Sequence, residues 1–596
     1  MDKLPKRTEM NTDYTWILED IYSSTEKWEK DFSFCQNSIQ FLNTFIGKIG
    51  TSAQILLDCL NQNFETGFMI EKLYVYAFMR FHEDSTNTIY QQLSSRAETL
   101  MIQYSSASSF IVPEILAIPE QTLSDFRKQL TALKQYDHFF DNILRQKQHT
   151  LSSEQEYIIA QASEMGGAPK TIFTMLNDAD MKFPDIKNEN DQTVQLTKGR
   201  YTSFLENNNR RVRKDAFFTL YNTYLKQKNT IAAIYSASVK SDVFFANMRK
   251  YPSSLHAALD DDNIPVAVYD NLIQTVHRFL PLMHRYIAMR KKMLGVDQLH
   301  MYDLYVPLVP DADKKISYQQ AKQTVSEALK ILGRQYSDAL QKGLNSGWID
   351  VYENEGKRSG AYSWGIYSVH PYVLLNHNDN INSMFTLAHE MGHALHSYFT
   401  WQKQPYLYSG HKIFVAEVAS TCNEALLMHY LLQNTEDNTT KKYLINYFLE
   451  QFRGTLFRQT MFAEFEKITH DIVEKGEALT CENMSQIYYD LNKKYFGDDI
   501  VIDKEIAIEW ARIPHFYNAF YVYQYATGYS AAIALSQKIT KEGQPAIDRY
   551  LDFLSKGNSE YSIDLLRGAG VDMTTTTPIE NAMAVFEDLL NQMEKL

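Results

Sequence analysis

The stretch "TLAHEMGHALHSYF", residues 386 to 399, places His389, Glu390, His393 and His396 close together. Residues four apart in a helix share a face. His389 and His393 can therefore direct two imidazoles at one metal ion, while Glu390, about 100° round the axis, reaches a water beside it. Those residue types suit zinc-assisted hydrolysis, with the histidines as ligands and the glutamate as general base. His396 returns to the same stripe, but at 1.5 Å per residue it lies about 10.5 Å along the axis from His389. Both cannot approach one ion at about 2 Å, so His396 is expected to support the site from outside the metal's own ligands.

A catalytic zinc needs a third protein ligand and an open position for water. The segment "KIFVAEVASTCNEALLMHYLL" offers two candidates, Glu417 and Glu424, seven apart and on nearly one helical face with Ser420. One can ligate while the other hydrogen-bonds a ligating histidine; spacing does not choose between them. The intervening "TWQKQPYLYSGH", with its Pro and Gly, lets this helix fold back against the first. In the first helix Met384, Leu387, Met391 and Leu395 fall on a helical period, with Asn382 or Ser383 available as its cap.

The elements that must position these residues are mostly helical. Twenty-three glycines and fifteen prolines are few for 596 residues, and the N-terminal portion carries apolar residues at intervals of three and four, as helices of a bundle do. Two short β-prone runs flank "KNENDQ" within residues 181 to 201 and predict a hairpin, where a soft boundary is drawn: an N-terminal helical domain, 1–200, and a catalytic domain, 201–596. The prolines of "MYDLYVPLVPDAD" mark an irregular crossing. Loops and strands are expected in "GKRSGAYSWGIYSVHPYVLLNHNDN", residues 356 to 380, just before the histidine motif. For the last helix Thr577 is the expected N-cap, with Pro578 first and Glu580 third in a capping box.

Composition excludes several classes. A net charge of −13 argues against a general affinity for nucleic acid, and the one basic cluster, "RRVRK" (Arg210 to Lys214), reads as a solvated helix face. No signal segment or membrane span is recognisable, so a soluble, cytoplasmic protein is expected. Cys35, Cys59, Cys422 and Cys481 are scattered and read as free, buried thiols.

"HEMGHALH" followed by "FVAEVASTCNE" resembles oligoendopeptidase F, of the thimet oligopeptidase and neurolysin family of zinc metallopeptidases. "TWILEDIY", "MYDLYVPL", "GKRSGAYSWG" and "IPHFYNAFYVYQYATG" are similar to the same pattern, so the likeness covers essentially the whole chain. It implies a mainly α fold of two helical lobes enclosing a deep substrate channel, with a small β element next to the active site. It also implies one zinc ion, with Glu417 as third ligand and Glu424 as the acid behind a histidine. Oligopeptides are the implied substrates; oligomeric state is left open. His515, Tyr521 and Tyr525 take the roles of substrate binding and oxyanion stabilisation, and Tyr529 stands beside the family's last tyrosine position. Tyr517, Tyr521 and Tyr525 are four apart and are expected on one helix face. Gly360, Ala361 and Tyr362 belong to the family's glycine-containing loop, which with "YVLLN" can present a strand edge to a peptide. The expected activity is zinc-dependent cleavage of internal peptide bonds; a helical zinc carboxypeptidase and a non-catalytic peptide-binding protein with a vestigial site are the rivals.

Overall fold

The computed structural model describes residues 3–309 and 315–596. The chain forms two compact units, each assembled from three segments: Met1–Gln148, Lys314–Leu427 and Leu535–Gly570 in the first, and His149–Asp313, Met428–Ala534 and Val571–Leu596 in the second. A cut at residue 200 falls inside the second unit, so the boundary drawn from sequence does not separate them. The reason is that the cores are completed by segments distant in sequence. Both are mainly helical, as expected.

In the first unit the long helix Ala53–Glu83 packs against Thr25–Leu42 and Thr88–Ser108. Their apolar faces close over Trp28, Ile70, Leu73 and Leu100, and Ile366, Tyr372 and Leu374 join the same core from nearly three hundred residues further on. Those later residues belong to the "GKRSGAYSWGIYSVHPYVLLN" region. Of the strands β1 (Ile186–Lys187), β2 (Thr193–Val194), β3 (Leu299–His300), β4 (Ile349–Asp350), β5 (Tyr362–Gly365), β6 (Pro371–Leu374) and β7 (Ile500–Val501), three form a mixed sheet here in the order β4-β6-β5. β4 runs parallel to β6 and β5 antiparallel, with Tyr362 opposite Leu374, which leaves β5 at an edge. Asp350, fully buried, is neutralised by Arg7 at 2.6 Å and Lys357 at 2.7 Å, so the loop leading into β5 is held at its base.

The second unit contains the expected hairpin, β1 paired with β2, a short parallel pair of β3 with β7, and helices that include Arg210–Lys226, Val266–Leu294, Arg458–Glu474 and Thr577–Lys595. "RRVRK" is not a solvated face. Arg210 and Arg213 each reach Asp303 at 2.8 Å, and Asp303 and Arg213 are buried; a buried carboxylate needs such partners. Asp303 is the acidic residue of "MYDLYVPL", so part of the family likeness is structural. The crossing there is irregular through residue 309, while Pro310 to Asp313 lie outside the described residues. The last helix starts with Thr576 as its N-cap residue, whose side chain does not cap a backbone N–H; Thr577 is already helical, and the Glu580 carboxylate is held by Arg278 at 2.6 Å and by Thr576.

All four cysteines are free and buried. Burial pushes the thiols of Cys35, Cys59 and Cys422 up to about 12.

Candidate active site

The histidine motif lies on the helix Ile381–Lys403. Its cap is Asn380, whose side chain accepts from the Ser383 N–H at 2.8 Å, two or three residues before the expected caps. Met384, Leu387, Met391 and Leu395 are buried as the period requires, leaving His389 and His393 half-buried on another face. The helix Ile413–Asn434 returns against it. Contact is close at Gly392, where an added Cβ would meet the Cα of Ser420 at 2.5 Å and the carbonyl of Ala419 at 2.8 Å. Asn423 fixes the pair in register: its amide donates to the Ala388 carbonyl at 3.0 Å and its oxygen accepts from Tyr336 at 2.8 Å.

This pairing brings three ligand atoms together. His389 Nε2 and His393 Nε2 are 3.2 Å apart, and Glu417 Oε2 is 3.3 Å from the first and 3.4 Å from the second. Two corners of a tetrahedron with bonds of about 2.0–2.1 Å stand about 3.3 Å apart. The near-equilateral triangle therefore fits one four-coordinate ion with its remaining position open, and two imidazoles with a carboxylate are a donor set that zinc accepts. Among the described residues this is the one group of three or more such side chains that could hold a metal. Behind it, Glu424 Oε1 meets His389 Nδ1 at 3.0 Å, which leaves Nε2 of that ring free to ligate. Ser420 donates to the Glu417 carboxylate at 3.2 Å.

The charges agree with that division. Burial works against a charge on Glu417, but hydrogen bonds from His389 and His393 outweigh it and hold the carboxyl far below its usual range. Burial also opposes a charge on His389, and Glu417 and Glu424 outweigh it, so that ring is strongly basic. Glu390 is the contrast. It is 6% exposed, and burial raises its pKa more than the two histidines lower it, as suits a group that must take and return a proton. His396 is buried against the rings of His411, 3.7 Å away, and Phe553 at 5.2 Å; burial keeps it neutral.

Gly360 and Ala361 line a cavity of about 410 Å³ with Asn376, Asn380, Ser383 and Thr386, one helical turn before His389. Tyr362 begins β5, but its hydroxyl is turned into the unit, 2.9 Å from His82 Nδ1, while Arg358 donates to the other ring nitrogen at 2.9 Å. Its side chain is thus an anchor, and the strand's backbone edge is what it presents.

In the second unit the expectation of one helix carrying Tyr517, Tyr521 and Tyr525 fails. The helix begins at Tyr523, after a 3-10 turn over Pro514–Tyr517. Phe520 lies between them with φ of +56°, a left-handed conformation that is an outlier for a bulky residue; its N–H donates to buried Glu466 at 3.1 Å. The break gathers His515, Tyr521 and Tyr525 into one cluster, with ring centres 5.5 to 6.2 Å apart and all three half-buried. It sends Tyr517 elsewhere, stacked on Phe173 at 4.3 Å. Tyr529 is 4% exposed and packs on Phe452, as a core aromatic.

Comparison with known proteins bears directly on this arrangement. The sequence pattern of peptidase family M3 matches residues 203–585, and that of oligopeptidase F matches residues 114–183. The chain belongs to peptidase family M3. It is 50% identical over 595 residues to oligopeptidase PepF of Bacillus subtilis, covering 100% of this chain and 89% of that one. It is 40% identical to group B oligopeptidase PepB of Streptococcus agalactiae, covering 99% and 98%. The crystal structure of oligoendopeptidase-F from Enterococcus faecium superimposes with a TM-score of 0.76 at 37% identity, over 96% of this chain and 99% of that one. This M3 peptidase is therefore a metallopeptidase with a mainly α fold. No helix among its described residues is long and apolar enough to cross a membrane.

Sequence reasoning missed Gly392, Asn423 and Asn380. The first two carry a signal: a glycine between the ligands and an amide beside Glu424 are what a close helix pair needs.

Proposed function

We propose that the chain is a zinc-dependent endopeptidase that hydrolyses internal bonds of short oligopeptides. The observation that carries this reading is the triangle of His389, His393 and Glu417 with Glu390 beside it and Glu424 behind. His389, His393 and Glu417 would hold a zinc ion, which would supply a Lewis acid able to acidify a water and polarise the scissile carbonyl. Glu390 takes the proton of the attacking water and returns it to the leaving amine. Glu424 accepts from Nδ1 of His389, and His396 packs behind the same helix. His515, Tyr521 and Tyr525 bind substrate, and a phenol from this cluster donates to the negative charge developing on the carbonyl. The clustering of these three rings supports that role; Tyr529, buried on Phe452, is not part of the cluster. The β5 edge with Gly360 and Ala361 takes the peptide backbone as an added strand, which tolerates many side chains.

The experiment is mass spectrometry of products from a peptide library whose members are blocked at both ends, with and without chelator, followed by metal analysis. Internal cleavage that chelator abolishes and zinc restores is expected. Intact blocked peptides alongside trimmed free ones would mean a carboxypeptidase, and no cleavage of either would mean a binding protein.

A further inference from the structure

The second unit encloses a small cavity of about 20 Å³, room for one sphere of water or halide size. Arg453, Arg458 and Arg512 line it with Tyr201, Tyr305, Asn492 and the carboxylate of Glu509. Their carboxylate partners are few. Glu509 serves Arg458 at 2.6 Å and Arg512 at 3.5 Å, and it also accepts from Tyr488 at 2.6 Å and Tyr221 at 3.1 Å. Arg453 turns the other way, to Glu450 at 2.6 Å, which it shares with Arg290 at 2.9 Å. Arg290 continues to the Asp303 carbonyl at 3.0 Å, and the Asp303 carboxylate is shared by Arg210 and Arg213.

The network thus links six arginines to three carboxylates among the described residues; Arg210 is 40% exposed, and none of the other five is more than a quarter exposed. Counting only the five less exposed arginines, two positive charges are in surplus, inside a chain whose net charge is −13. Buried cations are costly unless matched. The buried Nε–H of Arg512 has no acceptor among the described residues. A water in the cavity would accept from Arg512 and could donate to the unpartnered Oδ1 of Asn492, but would leave the surplus untouched; a monovalent anion would accept the same bond and offset one of the surplus charges.

We propose that this cavity is a binding site for one small monovalent anion of the halide class, held by Arg453, Arg458 and Arg512. Its position gives it a structural consequence. Arg458 opens the helix Arg458–Glu474, and Arg512 ends the turn Lys504–Arg512, three residues before His515. The anion ties that helix to the segment that leads into the His515, Tyr521 and Tyr525 cluster.

Two measurements on the full chain test this independently of peptide cleavage. Crystals of the wild-type protein soaked in bromide are expected to give an anomalous peak inside the cavity. Melting in chloride against gluconate, at constant ionic strength, is expected to rise saturably, by about 1 to 2 °C at twentyfold excess over half-saturation. Arg512→Gln should remove that rise while still melting cooperatively in gluconate; if the variant does not fold, the wild-type bromide map still decides. Absence of an anomalous peak overturns the site. A peak with identical melting in chloride and gluconate overturns it too, as an adventitious ion only.

Discussion

Glu390 differs from the three ligands beside it because it has no ligand atom in the triangle and is less exposed than any of them. Glu390→Gln keeps the size and removes the base, so metal content should stay stoichiometric while kcat on a quenched fluorescent peptide falls by about 10²–10⁴; unchanged turnover with full metal would falsify the assignment. Glu424→Gln acts differently. It weakens the hold on His389 and should loosen the metal about 10–100-fold in a chelator competition, with kcat of the fully loaded enzyme much less affected. At this scale the sequence was highly legible. Helical spacing put His389, Glu390 and His393 in order, and it excluded His396 from the metal by distance alone. It left Glu417 and Glu424 equivalent, because seven residues apart on a helix they differ only in which turn of the facing helix they meet.

Elements were legible wherever a local pattern determines them. The β1–β2 hairpin and the strands of residues 356 to 380 fall where β-prone runs met turn residues. The segment from Tyr517 to Tyr525 misled, because four-residue spacing is blind to a left-handed residue, and Phe520 is held there by Glu466, more than fifty positions away. Two tests belong here. Gly392→Ala drives a methyl into the backbone of Ser420, so the helix pair should separate at a cost of about 1–3 kcal/mol, read as a lower Tm together with weaker metal binding. The anchor of Tyr362 depends on pH. Burial first, then the charge of Arg358, lowers His82 from 6.5 to about 4. Between those values the unfolded chain binds a proton that the folded chain refuses. Its contribution to stability is therefore complete above about pH 6.5 and is lost as the pH falls towards 4. Tm measured from pH 7.5 to 4.5 should fall less steeply in His82→Gln than in the wild type; parallel slopes would assign the loss to other groups.

The whole molecule was the least legible level. Periodicity reports on windows of a dozen residues, whereas each unit closes its core with segments hundreds of residues apart, Trp28 and Leu73 with Tyr372 and Leu374. The division at residue 200 followed a hairpin that is real but lies within one unit. A chain of residues 201–596 would contain every ligand and yet lack the helices that cover the β4-β6-β5 sheet. It should be protease-sensitive and without a cooperative melt, and a sharp transition like that of the full chain would contradict this. The four cysteines have a practical corollary. With every native thiol buried and three of them titrating only near 12, the unmodified protein should be almost inert to maleimides at neutral pH. Two cysteines introduced on the surface, one in each unit, could then carry a donor and an acceptor dye without any background mutation, and the spread of distances between the units could be followed as peptides are turned over.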